Sequence, residues 1–206
     1  MSTIAILEQR SYFLKIGDEA LDPRQKDDAD KITTHLSKPE VSIGLIDQDW
    51  AEAVPYILKA LTPAQQVAIL SVPSVMFFLT THRSIGGMIG LVKAMESAQQ
   101  AAVLSAPYAV LGLSNNGQGA AVVNILKALT PEQQVAVLSA KDAVRGLSNN
   151  RQGAAVVNIL KALTPEQEQQ VASAEDAQRG SFSNPHKACL RTWKWYSAGT
   201  PQPAGP

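Results

Sequence analysis

A segment of 34 residues recurs along this chain with few changes. Aligned without gaps, residues 95–128 and residues 129–162 differ at nine of 34 positions. Residues 61–94 form a weaker copy and residues 27–60 a weaker one still, and we call these four segments units 1 to 4 in chain order. A fixed period of this length is typical of proteins in which each unit buries an apolar face against the next.

The first segment of each unit carries the signals of a helix start. In LTPEQQVAVLSA of unit 4, Thr130 is a good N-cap and Pro131 suits the first helical position. Gln133, three residues after Thr130, completes a capping box. The segment therefore predicts a helix.

Two further helices are predicted in each unit. KDAVRGLSNN is a short one that Ser139 and Asp142 can cap, and Asn149 and Asn150 tolerate the left-handed conformation that ends a helix. QGAAVVNILKAL gives the longest one, because its apolar residues recur at i, i+3, i+4 and i+7. This core stripe consists of Val122, Ile125, Leu126 and Leu129 and, one unit later, of Val156, Ile159, Leu160 and Leu163.

The pattern predicts an all-α fold, an α-solenoid of four imperfect 34-residue helical repeats with N- and C-terminal caps. A partial fifth copy at 163–180 is more polar than its parents, as a capping repeat should be. Residues 1–26 lie outside the repeat as an N-terminal capping segment, in which TIAIL and SYFLKIG are compatible with two short strands or with a helix.

Residues 181–206 form a tail rich in Pro and Ser. RTWKWY, at 191–196, is its exception and leaves three alternatives open. It can bind nucleic acid or a membrane surface, pack back onto the open end of the repeats, or be the remnant of an altered gene end.

The composition excludes several classes of function. With 45% hydrophobic and 17% charged residues the chain can fold, and its 18 basic residues balance its 18 acidic ones, so no net field attracts nucleic acid or anionic lipid. Its single cysteine excludes an internal disulfide. The first residues carry no basic stretch and Glu8 follows closely, so we expect no secretory signal, and no apolar run reaches the length that a membrane span needs. We therefore expect a cytoplasmic protein, or one that enters a host cell by a route without a signal.

The same residues resemble the ankyrin repeat. AVVNILKAL at 121–129 and 155–163 looks like that family's second helix, NNG and NNR stand where the family places Asn-Gly, and SAKD at 139–142 resembles the approach to its hairpin. The resemblance covers about residues 27–180, although the family's Thr-Pro-Leu-His opening is missing and a helix is predicted where its hairpin should be. It implies a protein-binding scaffold, and such repeats are similar to those of bacterial proteins that act on host proteins.

LTPEQQVAVLS at 129–139 is also similar to the first helix of the TAL-effector DNA-binding repeat. Ala140 and Lys141 stand where that family places its base-reading residues, and no glycine pair follows them. This resemblance implies a nucleic-acid-binding repeat protein, the alternative function. Nucleic acid is the less favoured partner because the net charge is zero.

Candidate partner-binding residues are the positions that vary between the units. In a repeat protein constant positions hold the stack, and varying ones are free to meet a partner of unknown identity, for which aromatic residues and Arg are typical. Positions 107 and 111 should share one face of the short helix, with 108 beside them. We call the varying set the variable ridge: Phe77, Arg83, Pro107, Tyr108, Leu111, Lys141, Asp142, Arg145 and Arg151. Drift of solvent-facing residues explains the same variation, and for Phe77 the core is the favoured interpretation.

Residues that carry chemistry are scattered. His35, His82 and His186 have no metal-ligand spacing, and His186 with Cys189 gives only two ligands. No nucleophile elbow, P-loop or dinucleotide fingerprint occurs. The sequence therefore predicts no enzyme, no cofactor and no metal, and favours a protein-interaction scaffold; a vestigial protein without activity is a further alternative.

Overall fold

A computed structural model describes residues 2–7, 11–16, 19–38, 48–73, 75–76 and 85–177. This part of the chain is mainly helical, as the sequence predicts, but it begins with a small sheet. Its strands β1 (Ser2–Leu7), β2 (Ser11–Ile16) and β3 (Glu19–Leu21) pair antiparallel in chain order. The strand alternative for TIAIL and SYFLKIG is therefore confirmed, and the rest of the described chain has the helical character that the all-α prediction expects.

The helices follow the sheet. They are α1 (Lys26–Leu36), α2 (Gln48–Ala60), α3 (Pro63–Leu70), α4 (Ile85–Ala94), α5 (Ser97–Leu104), α6 (Ala109–Leu113), α7 (Gly119–Ala128), α8 (Pro131–Leu138), α9 (Ala143–Asn149), α10 (Gly153–Leu160) and α11 (Pro165–Ala177). A π-helical turn at Ser114–Gln118 joins α6 to α7. The segment LTPEQQVAVLSA thus forms a helix, as predicted, and not a hairpin.

Capping boxes fix where the first helix begins in units 2, 3 and 4. At the start of α8, the backbone N–H of Gln133 donates to the hydroxyl of Thr130 at 3.3 Å, and the backbone N–H of Thr130 donates to the side chain of Gln133 at 3.0 Å. Helix α3 repeats this arrangement, and α5 begins with Glu96 in the cap position. The predicted capping box is confirmed, and α3, α5, α8 and α11 begin 34 residues apart.

Equivalent helices of successive units contact each other. We call the succession α1, α3, α5, α8 and α11 the first column, the pair α6 and α9 the second column, and the succession α2, α4, α7 and α10 the third column; every neighbouring pair within these columns is in contact. The sheet lies at one end, where β3 contacts α1 and the other two strands contact α2. It therefore covers the first members of two columns.

One hydrophobic core runs through the described units. All eight residues of the predicted core stripe are buried, and so are Leu36, Leu70, Leu104 and Leu138, which occupy one position in four successive first-column helices. Asn124 and Lys127, on the opposite face of α7, are exposed. Apolar residues at helical spacing thus separate core from surface as the sequence predicts.

The left-handed residue that follows each second-column helix is not the predicted asparagine. Gly117 and Arg151 are left-handed, with φ of 80° and 63°, whereas Asn150 has φ of −100°. The prediction for Asn149 and Asn150 is wrong because the side chain of Asn150 donates to the carbonyl of Gly146 at 2.8 Å. The amide holds the end of α9, and the chain turns one residue later.

Replacing Arg151 with glycine is expected to raise the free energy of unfolding by about 0.5–1 kcal/mol, because a left-handed residue with a Cβ costs more than the flexibility of glycine does. Urea unfolding measures the change. The matched control, Gly117→Arg at the equivalent position, should lower stability by a similar amount. Equal stability of all three proteins would contradict the left-handed assignment.

A glutamine side chain ties the third column to the first. The amide of Gln134 donates to the carbonyls of Leu126 at 3.0 Å and Leu129 at 3.2 Å. Two units earlier, the amide of Gln66 donates to the equivalent carbonyls of Leu58 and Leu61. The last carbonyls of a helix have no partner within the helix, so these bonds supply partners for the carbonyls at the ends of α7 and α2. At the equivalent place in α11 stands Glu168, and burial raises the pKa of its carboxyl.

Glu168→Gln is expected to stabilise the protein by about 1 kcal/mol at neutral pH, because an amide can donate where a carboxylate cannot. The pKa of Glu168 is higher in the folded than in the unfolded chain. The stability that the protonated carboxyl contributes is therefore fully present below the pKa of the unfolded chain, and it is lost as the pH rises through the pKa of the folded chain. The gap between variant and wild type should therefore widen from about pH 4 to about pH 7. Urea midpoints at both pH values measure it, and Gln134→Glu should introduce the same loss. A gap that does not depend on pH would exclude the carboxyl as its cause.

Candidate interaction surface

The described residues of the variable ridge lie along the second column and in the turns at the ends of its helices. Pro107 and Tyr108 precede α6, and Lys141 and Asp142 precede α9. The prediction that 107 and 111 share one helical face is therefore wrong, because the left-handed residue at 108 prevents the helix from starting earlier. Phe77 and Arg83 lie outside the described residues.

Two left-handed residues stand one unit apart at the starts of α6 and α9. Tyr108 has φ of 67° and Asp142 has φ of 62°. Aspartate tolerates this conformation, whereas a bulky tyrosine there is an outlier that its surroundings must hold. The backbone N–H of Tyr108 donates to the carbonyl of Lys141 at 3.3 Å. A hydrogen bond to the next unit therefore helps to keep Tyr108 in the left-handed conformation.

The side chains of Tyr108 and Lys141 also contact each other. The ammonium of Lys141 lies 4.9 Å from the centroid of the Tyr108 ring, within the range of a cation–π interaction. Hydrogen bonding to the Tyr108 side chain, and then the attraction between the two groups, raises the pKa of Lys141. Lys141 is exposed and Tyr108 half-buried, so the pair forms a surface patch at the junction of units 3 and 4.

Asp142 departs from the prediction of a partner-binding position. It is only 8% exposed, and its carboxylate accepts a hydrogen bond from Arg145 at 3.2 Å. As N-cap of α9 it makes no side-chain cap bond, so the predicted cap is also wrong. Its side chain bonds the side chain of Arg145 in place of a backbone N–H at the helix start. Asp142 therefore positions Arg145, whose side chain is one third exposed.

Leu111 lies at the closest approach of two units. A Cβ built on Gly146 of α9 would lie 2.5 Å from the Cα and 2.9 Å from the backbone nitrogen of Leu111 in α6. Contacts this short do not occur, so only glycine allows the two helices to pack here. Leu111 thus contributes its backbone to the contact between units and remains half-exposed.

The structure therefore brings together only part of the ridge. Tyr108 and Lys141 contact each other directly. Leu111 and Arg145 lie on α6 and α9, which contact each other. Arg151 is exposed two residues beyond the end of α9. Pro107 is half-buried in the turn before α6.

A second surface has the opposite pattern, because it is constant between units. Lys59, Lys93, Lys127 and Lys161 are all exposed, stand 34 residues apart, and occupy the same place near the ends of the third-column helices. We call these four residues the lysine row. The recurring letters ILKA and LVKA mark the lysine row in the sequence.

A hollow interrupts this second surface near its start. A groove of about 480 Å³ lies between the end of α2, the start of α3 and α4, lined in part by Lys59, Pro63, Leu91 and Met95. Gly90 is at its wall, and a Cβ there would meet nothing within 4 Å. The later units carry Asn124 and Asn158 at this position.

Among the described residues, no group of three or more His, Cys, Asp or Glu is placed to hold a metal ion. Within the same ranges, no helix is both long and apolar enough to cross a membrane. Comparisons with models of protein families, with curated proteins and with solved structures find no match to this chain.

Proposed function

We propose that this chain is a non-catalytic scaffold for protein–protein interaction, an α-solenoid of four 34-residue units that binds a partner along the variable ridge. The observation that carries the proposal is the contact between equivalent helices of successive units. Such stacking places the positions that differ between units beside one another and forms an extended surface from them.

The chemistry of the ridge supports a protein as the partner. Tyr108, Leu111 and Arg145 are half-exposed, and aromatic residues and Arg are enriched at the centres of interfaces. Tyr108 is also held in a strained backbone conformation by its bond to the next unit, an arrangement that is common at binding sites. The ankyrin-like identity, the cytoplasm or a host cell as the place of action, and a role as a bacterial effector belong to the same proposal and rest on the resemblance of the repeat.

The test is an affinity pull-down from eukaryotic lysate with two matched variants. Tyr108→Asn with Lys141→Gln removes the ridge pair while keeping a residue that tolerates the left-handed backbone. Tyr56→Asn with Lys59→Gln removes a similar tyrosine–lysine pair, 5.7 Å apart, from the third column. Each variant first has its folding verified by circular dichroism.

We expect one protein that is retained by the wild type and by the Tyr56 variant, is lost with the Tyr108 variant, and is indifferent to nuclease. Retention of the same proteins by the Tyr108 variant would contradict binding along the ridge. Loss of binding after nuclease treatment would instead support the nucleic-acid alternative, with Lys141 and Arg151 as the next residues to replace.

A further inference from the structure

The two edges of the small sheet differ in kind. One edge is β3, which has only three residues, and the other is β1, which has six. At the β3 edge Glu19 forms an ion pair with Lys31, and Asp22, directly after the strand, bonds Arg24 at 2.7 Å. Short length and charged side chains are features that keep an edge strand from pairing with another chain. The β3 edge is therefore protected.

The β1 edge has none of these protections. Its sequence, STIAIL, contains no charged residue and no proline. Its pairing with β2 runs without a bulge, from Ser2 opposite Ile16 to Leu7 opposite Ser11. A charge, a proline or a bulge is what usually blocks an edge strand of this length. β1 therefore offers a regular row of backbone groups over six residues.

The outer side of β1 has no strand beside it within the described part of the chain. In an antiparallel strand, every second residue directs both its N–H and its C=O away from the neighbouring strand. Among the described residues, only those of β2 pair with β1. Helix α2 contacts both β1 and the central strand β2, as a helix that lies across the face of a sheet does. An added strand would supply hydrogen bonds to these groups along the whole of β1.

A second copy of this chain can provide that strand and close the assembly. Each copy has one unprotected edge, so the pairing of β1 with β1 uses both of these edges and leaves only the two protected β3 edges at the outside. No like charges face each other, because STIAIL carries none. The pairing of two copies therefore removes the exposed edge without creating a new one.

Two-fold symmetry also fits the faces of the sheet. A two-fold axis perpendicular to the sheet makes the two β1 strands antiparallel and keeps the same face of each copy on the same side. Leu14 and Leu21, which are opposite each other on neighbouring strands, are both buried and mark the inner face. The two inner faces therefore become one, and the helices that pack on the sheet stay on one side of it.

We propose that two copies of this chain associate through β1, which pairs antiparallel with β1 of the second copy to form one six-stranded sheet from the two three-stranded ones. This surface lies at the end of the columns where α1 and α2 contact the sheet. The inference involves no residue of the variable ridge and does not depend on the proposed function.

Sedimentation velocity of two charge variants tests the proposal. Thr3→Lys with Ala5→Lys, and Thr3→Glu with Ala5→Glu, each place like charges opposite one another, whether the two-fold axis passes Ile4 or Ala5. Both positions lie on the face of the sheet that carries the exposed Ala20, and not on the face of the buried Leu14. We expect the wild type to form a reversible dimer and each variant to associate about tenfold more weakly, since facing like charges destabilise a strand pair.

A mixture and a matched control separate this result from misfolding. An equimolar mixture of the lysine and glutamate variants should associate at least as tightly as the wild type, because opposite charges then face each other. Ala20→Lys and Ala20→Glu place the same charges on the same face but on β3, and should associate as the wild type does. Far-UV circular dichroism verifies the folding of every variant.

Several outcomes would overturn the inference. A wild type that is monomeric at every concentration, a mixture that associates no better than either variant alone, or an equal loss in the Ala20 variants would each do so. Assemblies larger than a dimer would contradict a pairing that closes on itself. Binding of a labelled STIAIL peptide to a wild type that stays monomeric would overturn it in favour of a strand from another protein.

Discussion

Replacing Gly146 with alanine is expected to lower the free energy of unfolding by about 3 kcal/mol, because the added methyl group overpacks a closed contact. Its Cβ would lie 2.5 Å from the Cα of Leu111, and a backbone atom cannot rotate away as a side chain can. Helices α6 and α9 must separate, which opens the junction of units 3 and 4. Urea unfolding followed by circular dichroism measures the loss.

The matched control is Gly90→Ala in α4. A Cβ at this position meets nothing within 4 Å, so only the helix preference of alanine acts, and a gain of about 0.5–1 kcal/mol is expected. If both substitutions change stability by the same amount and sign, Gly146 does not lie at a close contact between units.

Asp142→Ala is expected to cost about 2 kcal/mol, because it combines a left-handed alanine with the loss of a partly buried ion pair. The carboxylate is 12% exposed and bonds the guanidinium of Arg145, whose Nε is buried without another partner. Removing the acid leaves that cation without its partner in a partly desolvated place. Thermal unfolding and urea unfolding should both report the loss.

Asp142→Asn is the control that separates the two causes. Asparagine tolerates the left-handed backbone and still accepts a hydrogen bond from Arg145, so a loss of less than about 1 kcal/mol is expected. An alanine variant as stable as the asparagine variant would show that the left-handed backbone does not contribute to the loss. Substitution of Asp142 by alanine is therefore unsuited to a binding test, since unfolding would imitate a lost partner.

The features that the sequence predicts correctly are local ones. Thr130 and Gln133 form their capping box within one helical turn, and the stripe from Val122 to Leu129 follows from helical spacing alone. Each needs only residues close in the chain, so no knowledge of the neighbouring unit is required. Helix starts and core faces were therefore predictable.

The features that the sequence did not predict depend on the next unit or on a choice between similar residues. Tyr108 is left-handed while its N–H bonds Lys141, which lies 33 positions later. Asp142 is buried because Arg145 and α6 surround the start of α9, although its equivalent in unit 3 is a tyrosine. Variation between units therefore does not by itself identify surface residues, because Lys141 is exposed whereas Asp142 is buried.

The lysine row was missed for a related reason. Constant residues were assigned to packing, and Leu126 and Leu138 obey that rule, but Lys127 is constant and exposed. A constant exposed residue needs an explanation other than packing: Lys59, Lys93 and Lys127 each lie in the last turn of a helix, where a positive charge interacts favourably with the helix dipole.

Deleting one whole unit tests the central claim, the stacking of interchangeable 34-residue units, most directly. Removal of residues 95–128 joins Ala94 to Leu129 and restores the letters KALTP, so α3 can contact α8 and α4 can contact α10 in place of the lost helices. Because stability in a stacked repeat is nearly a sum over units and their junctions, the shortened protein should keep its helix content per residue and unfold cooperatively at a lower midpoint. A shortened protein without helical structure or cooperative unfolding would contradict the stacked-unit account.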